Sequence, residues 1–406
     1  MATANGTLFY RDSNGNTVLY NPQTESEAIV DFDTEVQDII EDADEDFFGA
    51  PYGKNLIFAP LEEDFFTRPS LFTSAQTTIT VPKGTAFVVN GRFYETTSDT
   101  EISLNSFVTA ANRAGKDCYL YAVENSDPDS TEPVFVVSLN STYPTGYDAD
   151  TSRKLGGFHC LCVAAGTLAT YSGCQAHPIS GFAAGDVLPA SIWDLWHRPI
   201  ANPEGMLFDP NDNVWVDIYL PSVSGGKLVS VYGGTIADGA SSPAFHWYKF
   251  ATWFSKVGKR MPTQPEFMSL AVGSNVQTNI YGSADPGTTG GHKDTNNRRM
   301  ISYLGVEDCC GVMWQWGFEA GGPNSGASWA NAYDSNDDAT MRGSHYNAPN
   351  ADYCGAWWGV GTLAGPRSLP AKYSNPSITD NKLAPTGDPW GSGRGVSEPS
   401  MVYHNI

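Results

Sequence analysis

The sequence predicts a mainly β N-terminal region followed by an α+β domain, and three observations carry that division. All eleven tryptophans lie between Trp193 and Trp390, so the first 192 residues follow a different plan. From residue 61 to about 140, apolar and polar side chains alternate with the period of strands. The strongest helical pattern, at 247–257, is followed closely by a helix-start signal. Glycine (41) and proline (26) are plentiful, which favours short strands and turns. At 406 residues the chain is long enough for two or three domains.

Residues 1–60 are expected to form an attachment or oligomerisation segment. "TLFY" and "TVLY" flank the turn-forming "RDSNGN" and read as a β-hairpin. The acidic run Glu25 to Phe48 follows, punctuated by Val30, Phe32, Val36, Ile39 and Ile40. Part of it fits an amphipathic helix with a solvated charged face; it lacks the spacing of a calcium loop. Residues 61–145 read as a small antiparallel β domain, with "VPKG" and "VNGR" as turns between "TTIT", "AFVV" and "FYETT". Such a domain offers little chemistry and suits a spacer or an oligomerisation unit.

Residues 146–406 form the third expected unit, rich in tryptophan and glycine. Trp247, Phe250, Ala251, Phe254 and Val257 share one helical face. Lys256 suits the last turn and Gly258 the stop. Thr263 and Glu266 then form a T-x-x-E capping box, with Pro265 in the first turn and Gly273 as terminator. In "CCGVMWQWGFE", Trp314 and Trp316 alternate as on a strand.

Several classes of function are disfavoured. A formal net charge of −22 is wrong for sequence-independent nucleic-acid binding and for anionic lipid. The N-terminus carries no secretory pattern, and no run of eighteen apolar residues predicts a membrane span. The seven cysteines lack metal spacing and read as reduced core residues. No G-x-S-x-G elbow, P-loop, dinucleotide fingerprint or H-E-x-x-H occurs. The seven histidines are scattered and read as structural or exposed, and adjacent Cys309 and Cys310 as structural. No cofactor is implied; "DSNDD" (Asp334 to Asp338) is a candidate for calcium, though such runs more often mark solvated turns.

What remains is a polar-aromatic segment, Met341 to Asn381, mixing Tyr, Trp, Asn, Ser and Gly. Those types supply rigid contact area and adaptable hydrogen bonds, as in antibody paratopes.

"HWYKFATWFSKVGKRMPTQPEF" followed by "GVMWQW" resembles the formylglycine-generating enzyme branch of the C-type lectin fold, over roughly residues 150–400. Within it, "SRKLGGFHCLC", "DVLPASIWDLWHRP", "GKLVSVYGGTIADG" and "SGRGVSEP" are similar to phage proteins related to the major tropism determinant. The resemblance implies a C-type lectin-like domain at a tail-fibre tip, displayed on the virion, that binds a host-cell receptor. It also implies a homo-oligomer, expected to be a trimer, that contacts other virion tail or fibre proteins. In some relatives a retroelement diversifies the C-terminal region. By position it makes Tyr346, Asn350, Tyr353, Trp357, Trp358, Leu369, Lys372, Tyr373 and Asn375 candidate ligand contacts. Two departures separate the chain from the enzymes. Their C-terminal cysteine motif is absent, with Cys354 standing alone, and "WEW" has become "WQW" at Gln315. The expected function is therefore non-catalytic binding of a host glycan or protein; the alternative is a capsid decoration or head fibre with an adhesive knob.

Overall fold

The computed structural model describes residues 8–11, 17–20, 57–58, 73–170, 176–195, 197–241, 243–320, 351–354, 378–379, 382–383 and 391–400. The chain forms two compact units, residues 1–56 and 57–406. In the first, β1 (Leu8–Arg11) and β2 (Thr17–Tyr20) pair antiparallel with Leu8 opposite Tyr20, which is the hairpin expected from the sequence. The acidic run 25–48 lies outside the described residues.

The second unit begins with two small antiparallel sheets. One joins β3 (Ile57–Phe58), β6 (Ala86–Val89) and β7 (Arg92–Glu95) in the order β3-β6-β7. The other joins β4 (Thr73–Ala75), β5 (Thr78–Val81) and β8 (Thr100–Ser103) in the order β4-β5-β8. Asn90 (φ 51°) and Gly91 (φ 72°) turn β6 into β7, the left-handed pair that a two-residue hairpin needs to match strand twist. A short helix, α1 (Ala110–Arg113), leads to β9 (Asp117–Val123). A four-stranded sheet follows in the order β10-β9-β11-β12, with β10 (Val134–Ser138), β11 (Ser152–His159) and β12 (Trp193–Asp194). The sheet thus runs on across residue 145.

Strand β9 shows how this sheet meets the rest of the chain. Cys118, Leu120 and Ala122 enter one apolar cluster, with Phe87, Phe158 and Val187. Tyr119, Tyr121 and Val123 enter another, with Trp193, Met206 and Trp215. Successive side chains point to opposite faces, so β9 is buried on both. Its near-continuous apolar run is what two-sided burial requires.

β13 (Met206–Asp209) and β14 (Val214–Asp217) form a hairpin completed by β22 (Val396–Ser397) near the C-terminus. β15 (Pro221–Ser224) and β16 (Lys227–Ser230) form a separate hairpin. Helix α2 (Trp247–Ser255) buries Phe250 and Phe254 in the main core and packs Trp247 and Ala251 against it, the face read from the sequence. Gly258, at φ 72°, follows its end. Helix α3 (Gln264–Leu270) begins at the expected box. Thr263 Oγ1 accepts from the Glu266 amide, and Glu266 Oε2 accepts from the Thr263 amide at 2.7 Å.

The remaining strands are β17 (Trp314–Ala320), β18 (Ala351–Cys354), β19 (Ile378–Thr379), β20 (Lys382–Leu383) and β21 (Gly391–Ser392). No helix among the described residues is long and apolar enough to cross a membrane.

Candidate functional site

Within the segment 341–381, β18 belongs to a three-stranded sheet in the order β18-β17-β21. β18 pairs antiparallel with β17, with Tyr353 opposite Trp316 and Cys354 opposite Gln315. β21 pairs parallel with β17, with Ser392 also opposite Gln315. The register shifts between Trp316 and Ala320, an irregularity within the β17–β18 pairing, which resumes at Ala320 opposite Ala351. Of the candidate contacts, Tyr353 falls on β18. Tyr346, Asn350, Trp357, Trp358, Leu369, Lys372, Tyr373 and Asn375 lie outside the described residues, as does Asp334 to Asp338.

The frame beneath is described in full. Gln315, completely buried, gives its Nε2 to the carbonyls of Asp308 and Cys309, each at 3.0 Å. Its Oε1 accepts from Arg394 Nε at 2.7 Å. Arg394 is completely buried too. Its Nη1 donates to the carbonyls of Asp217 (2.8 Å) and Ile218 (3.0 Å), and its Nη2 to that of Glu307 (2.7 Å). One guanidinium thus ties β14, residues 307–309 and β17 to the C-terminal segment. The glycines flanking it are required by close approach. A Cβ at Gly393 would lie 2.9 Å from the rings of Phe250 and Phe254, and one at Gly395 would collide with the Asp217 carboxylate. The sequence reading noted "SGRGVSEP" and Gln315 but missed this joint. An arginine between two glycines was the available signal.

The capping box extends the frame. Arg260 donates Nη1 and Nη2 to the two Glu266 carboxylate oxygens at 2.7 and 2.6 Å, and Nη2 reaches Glu398 at 2.8 Å. Lys259 Nζ meets Asp217 Oδ1 at 2.6 Å in a buried pair. "GKRMPTQPEF" is therefore both a helix start and a fastener for residues 395–398. Next to it, Trp247 Nε1 donates to the Gly317 carbonyl at 2.8 Å, and the Phe318 amide to the Pro262 carbonyl at 2.8 Å.

Among the described histidines, His159 and His197 are enclosed by neighbouring side chains. His159 meets Asp117 through Nδ1 (2.9 Å) and the Tyr219 hydroxyl through Nε2 (3.0 Å). Burial pushes His197, packed on Phe208 and Trp215, down to about 4. Cys118, Cys160, Cys162, Cys309 and Cys310 are buried. Burial pushes the Cys309 thiol up to about 11, so it is no thiolate at neutral pH. Among the described residues no cluster of three His, Cys, Asp or Glu could hold a metal.

One charge pair is poised to titrate. His292 Nδ1 lies 3.0 Å from both oxygens of the buried Asp308, near Glu307 and Arg299. Burial opposes its charge, but Asp308 and, more weakly, Glu307 outweigh burial and raise it above its ordinary 6.5. The stabilisation is therefore complete below pH 6.5 and lost as pH rises through the higher folded value. We expect the unfolding midpoint to fall over that window in wild type and to stay flat in His292→Gln. Parallel pH profiles of the two would contradict this.

Comparison with known proteins completes the site. A family model described as the Mtd second domain matches residues 69–194. The tail fiber receptor-binding protein of Bordetella phage BPP-1 is 32% identical over 321 residues, 74% of this chain and 77% of that one. Among solved structures, the Major Tropism Determinant P3c variant superposes with TM-score 0.62 at 28% identity, covering 82% of this chain and 84% of that one. The U1 variant gives 0.61 at 28%, covering 81% and 83%. The mostly β architecture with few helices matches that C-type lectin-like fold. With a third of its residues identical across three quarters of its length, the chain belongs to the major tropism determinant family of phage tail-fibre receptor-binding proteins.

Proposed function

We propose that this chain is the receptor-binding protein at the tip of a phage tail fibre and that it recognises a glycan or protein on the host-cell surface without catalysis. The observation that carries this reading is the identity to the Bordetella phage receptor-binding protein, which extends over 321 residues. The frame supports it: β17, β18 and β21, which flank residues 321–350 and 355–390 in sequence, form one sheet tied to the C-terminal segment by Arg394 and Gln315. Tyr346, Asn350, Tyr353, Trp357, Trp358, Leu369, Lys372, Tyr373 and Asn375 are the proposed contacts.

Residues 1–60 attach the protein to its fibre in this reading. The β domain assigned to 61–145, whose sheet also draws on β11 and β12, serves as spacer. The domain from residue 146 onward presents the receptor face. Helix α2, the box at Thr263 and β17 occur in the order typical of the formylglycine-generating enzyme type, which supports that subtype. We assign a homotrimer, in which identical tips strengthen individually weak contacts. The absence of the enzymes' cysteine motif from the sequence, together with the raised Cys309 thiol, supports a non-catalytic role.

Immunogold electron microscopy with antibody against residues 342–380 tests the reading. Gold at the far end of the tail, with adsorption blocked, is the expected result. Gold on the head would move the protein to a capsid decoration or head fibre.

A further inference from the structure

The chain carries 45 acidic and 23 basic residues, yet residues 239–265 contain no aspartate or glutamate and four cations. Helix α2 lies inside this stretch. Two of the cations are neutralised, Lys259 by Asp217 and Arg260 by Glu266 and Glu398. Lys249 and Lys256 make no ion pair among the described residues.

Lys249 on α2 and Lys256 at its C-cap fall on one stripe with Trp253 between them, at i, i+4 and i+7. Lys249 Nζ lies 5.8 Å and Lys256 Nζ 5.6 Å from the Trp253 ring centroid. Lys249 is held further by the Ala244 carbonyl at 3.0 Å and by the Phe245 ring at 5.0 Å. Trp253 is half-buried against the main core, Lys256 is exposed, and the exposed Ser255 adds a hydroxyl beside them. The ring therefore holds two ammonium groups in place, so part of the entropy cost of ordering lysines is met before any ligand arrives.

We propose that the Lys249–Trp253–Lys256 stripe is a second binding site, for an anionic saccharide of the bacterial envelope. Its phosphate or carboxylate groups sit on the two ammonium groups, and its sugar carbons rest on the indole and the lysine stems. Charge complementarity selects this occupant. A body of net charge −22 is repelled by an anionic cell surface unless contact is made through a locally positive patch. Position fits as well, because Trp247 at the start of α2 is bonded to Gly317 of β17, the strand that leads into the candidate receptor face. Saccharide surrounding the receptor would be touched in the same encounter. This role in adsorption rests on the receptor-binding reading; the binding itself does not.

The test uses the full-length protein with dextran sulfate and uncharged dextran of equal length as probes, followed by surface plasmon resonance at low and physiological salt. Dextran sulfate is expected to bind and dextran not, with affinity falling as salt rises. Lys249→Gln with Lys256→Gln is expected to weaken dextran sulfate binding about tenfold. Lys227→Gln with Lys293→Gln, exposed lysines elsewhere, is expected to leave it unchanged. No binding by wild type, equal weakening by both pairs, or full binding by the first pair would each overturn the proposal. Trp357→Ala with Tyr373→Ala keeps dextran sulfate binding if the two sites are separate, so failure of the receptor reading and failure of this one are distinguishable. Loss of both activities in that variant would merge the sites and overturn a distinct stripe.

Discussion

Replacing Arg394 by methionine is expected to cost at least about 3 kcal/mol of stability, read as a lowered urea midpoint and loss of near-ultraviolet circular dichroism. Methionine fills similar length but donates nothing. The carbonyls of Asp217 and Glu307 and the Oε1 of Gln315 would then lack the donor that now reaches them, while the Ile218 carbonyl would keep only the Glu307 amide. Each unsatisfied buried acceptor costs about 1–3 kcal/mol, less whatever water can repair. Arg394→Lys is expected to recover only part of the loss, because one ammonium cannot present donors over the span of a planar fork. A methionine variant with the wild-type midpoint would mean that water replaces the guanidinium and that the joint is not a keystone.

The same joint explains the glutamine in "WQW". A carboxylate at position 315 would still meet Arg394, but it would turn two donated bonds, to the carbonyls of Asp308 and Cys309, into repulsions. Glutamate is therefore the wrong residue for this site, although the enzymes that the sequence resembles carry a "WEW"-like motif. Gln315 serves architecture in this chain.

What could be read from the sequence was what is decided locally. The T-x-x-E box, the apolar face of α2 and the hairpin at Asn90–Gly91 are each fixed by neighbours within about one helical turn or one tight turn. The two-sided burial of β9 and the Arg394 joint were hidden for the opposite reason. Arg394 lies 79 to 177 positions from its hydrogen-bond partners, so no window of sequence contains both ends. Its burial also runs against expectation for an arginine, which is seldom fully buried without a carboxylate. The candidate contacts were legible only by kind: Tyr, Trp and Asn in a turn-rich run resemble a binding face, and only Tyr353 is placed, on β18.

The double change Trp357→Ala with Tyr373→Ala is expected to abolish adsorption to host cells while leaving the urea midpoint and sedimentation coefficient unchanged. Trp357 lies three residues beyond Cys354, the end of β18, and Tyr373 lies in sequence between β18 and β19, so both belong to the proposed contact segment. Aromatic anchors at the centre of an interface typically contribute at least about 2 kcal/mol each, roughly thirtyfold in affinity per site. In a multivalent tip the deficit is compounded, because each lost contact also lowers the chance that neighbouring copies rebind. The stability readouts separate this from a folding defect, since a lost core aromatic would move the midpoint and a lost receptor contact would not. They also set the result apart from the Arg394 variant, which is expected to fail by unfolding. Full adsorption by the double variant would remove the 342–380 surface from consideration and send the search for the receptor contact to other faces of the same domain.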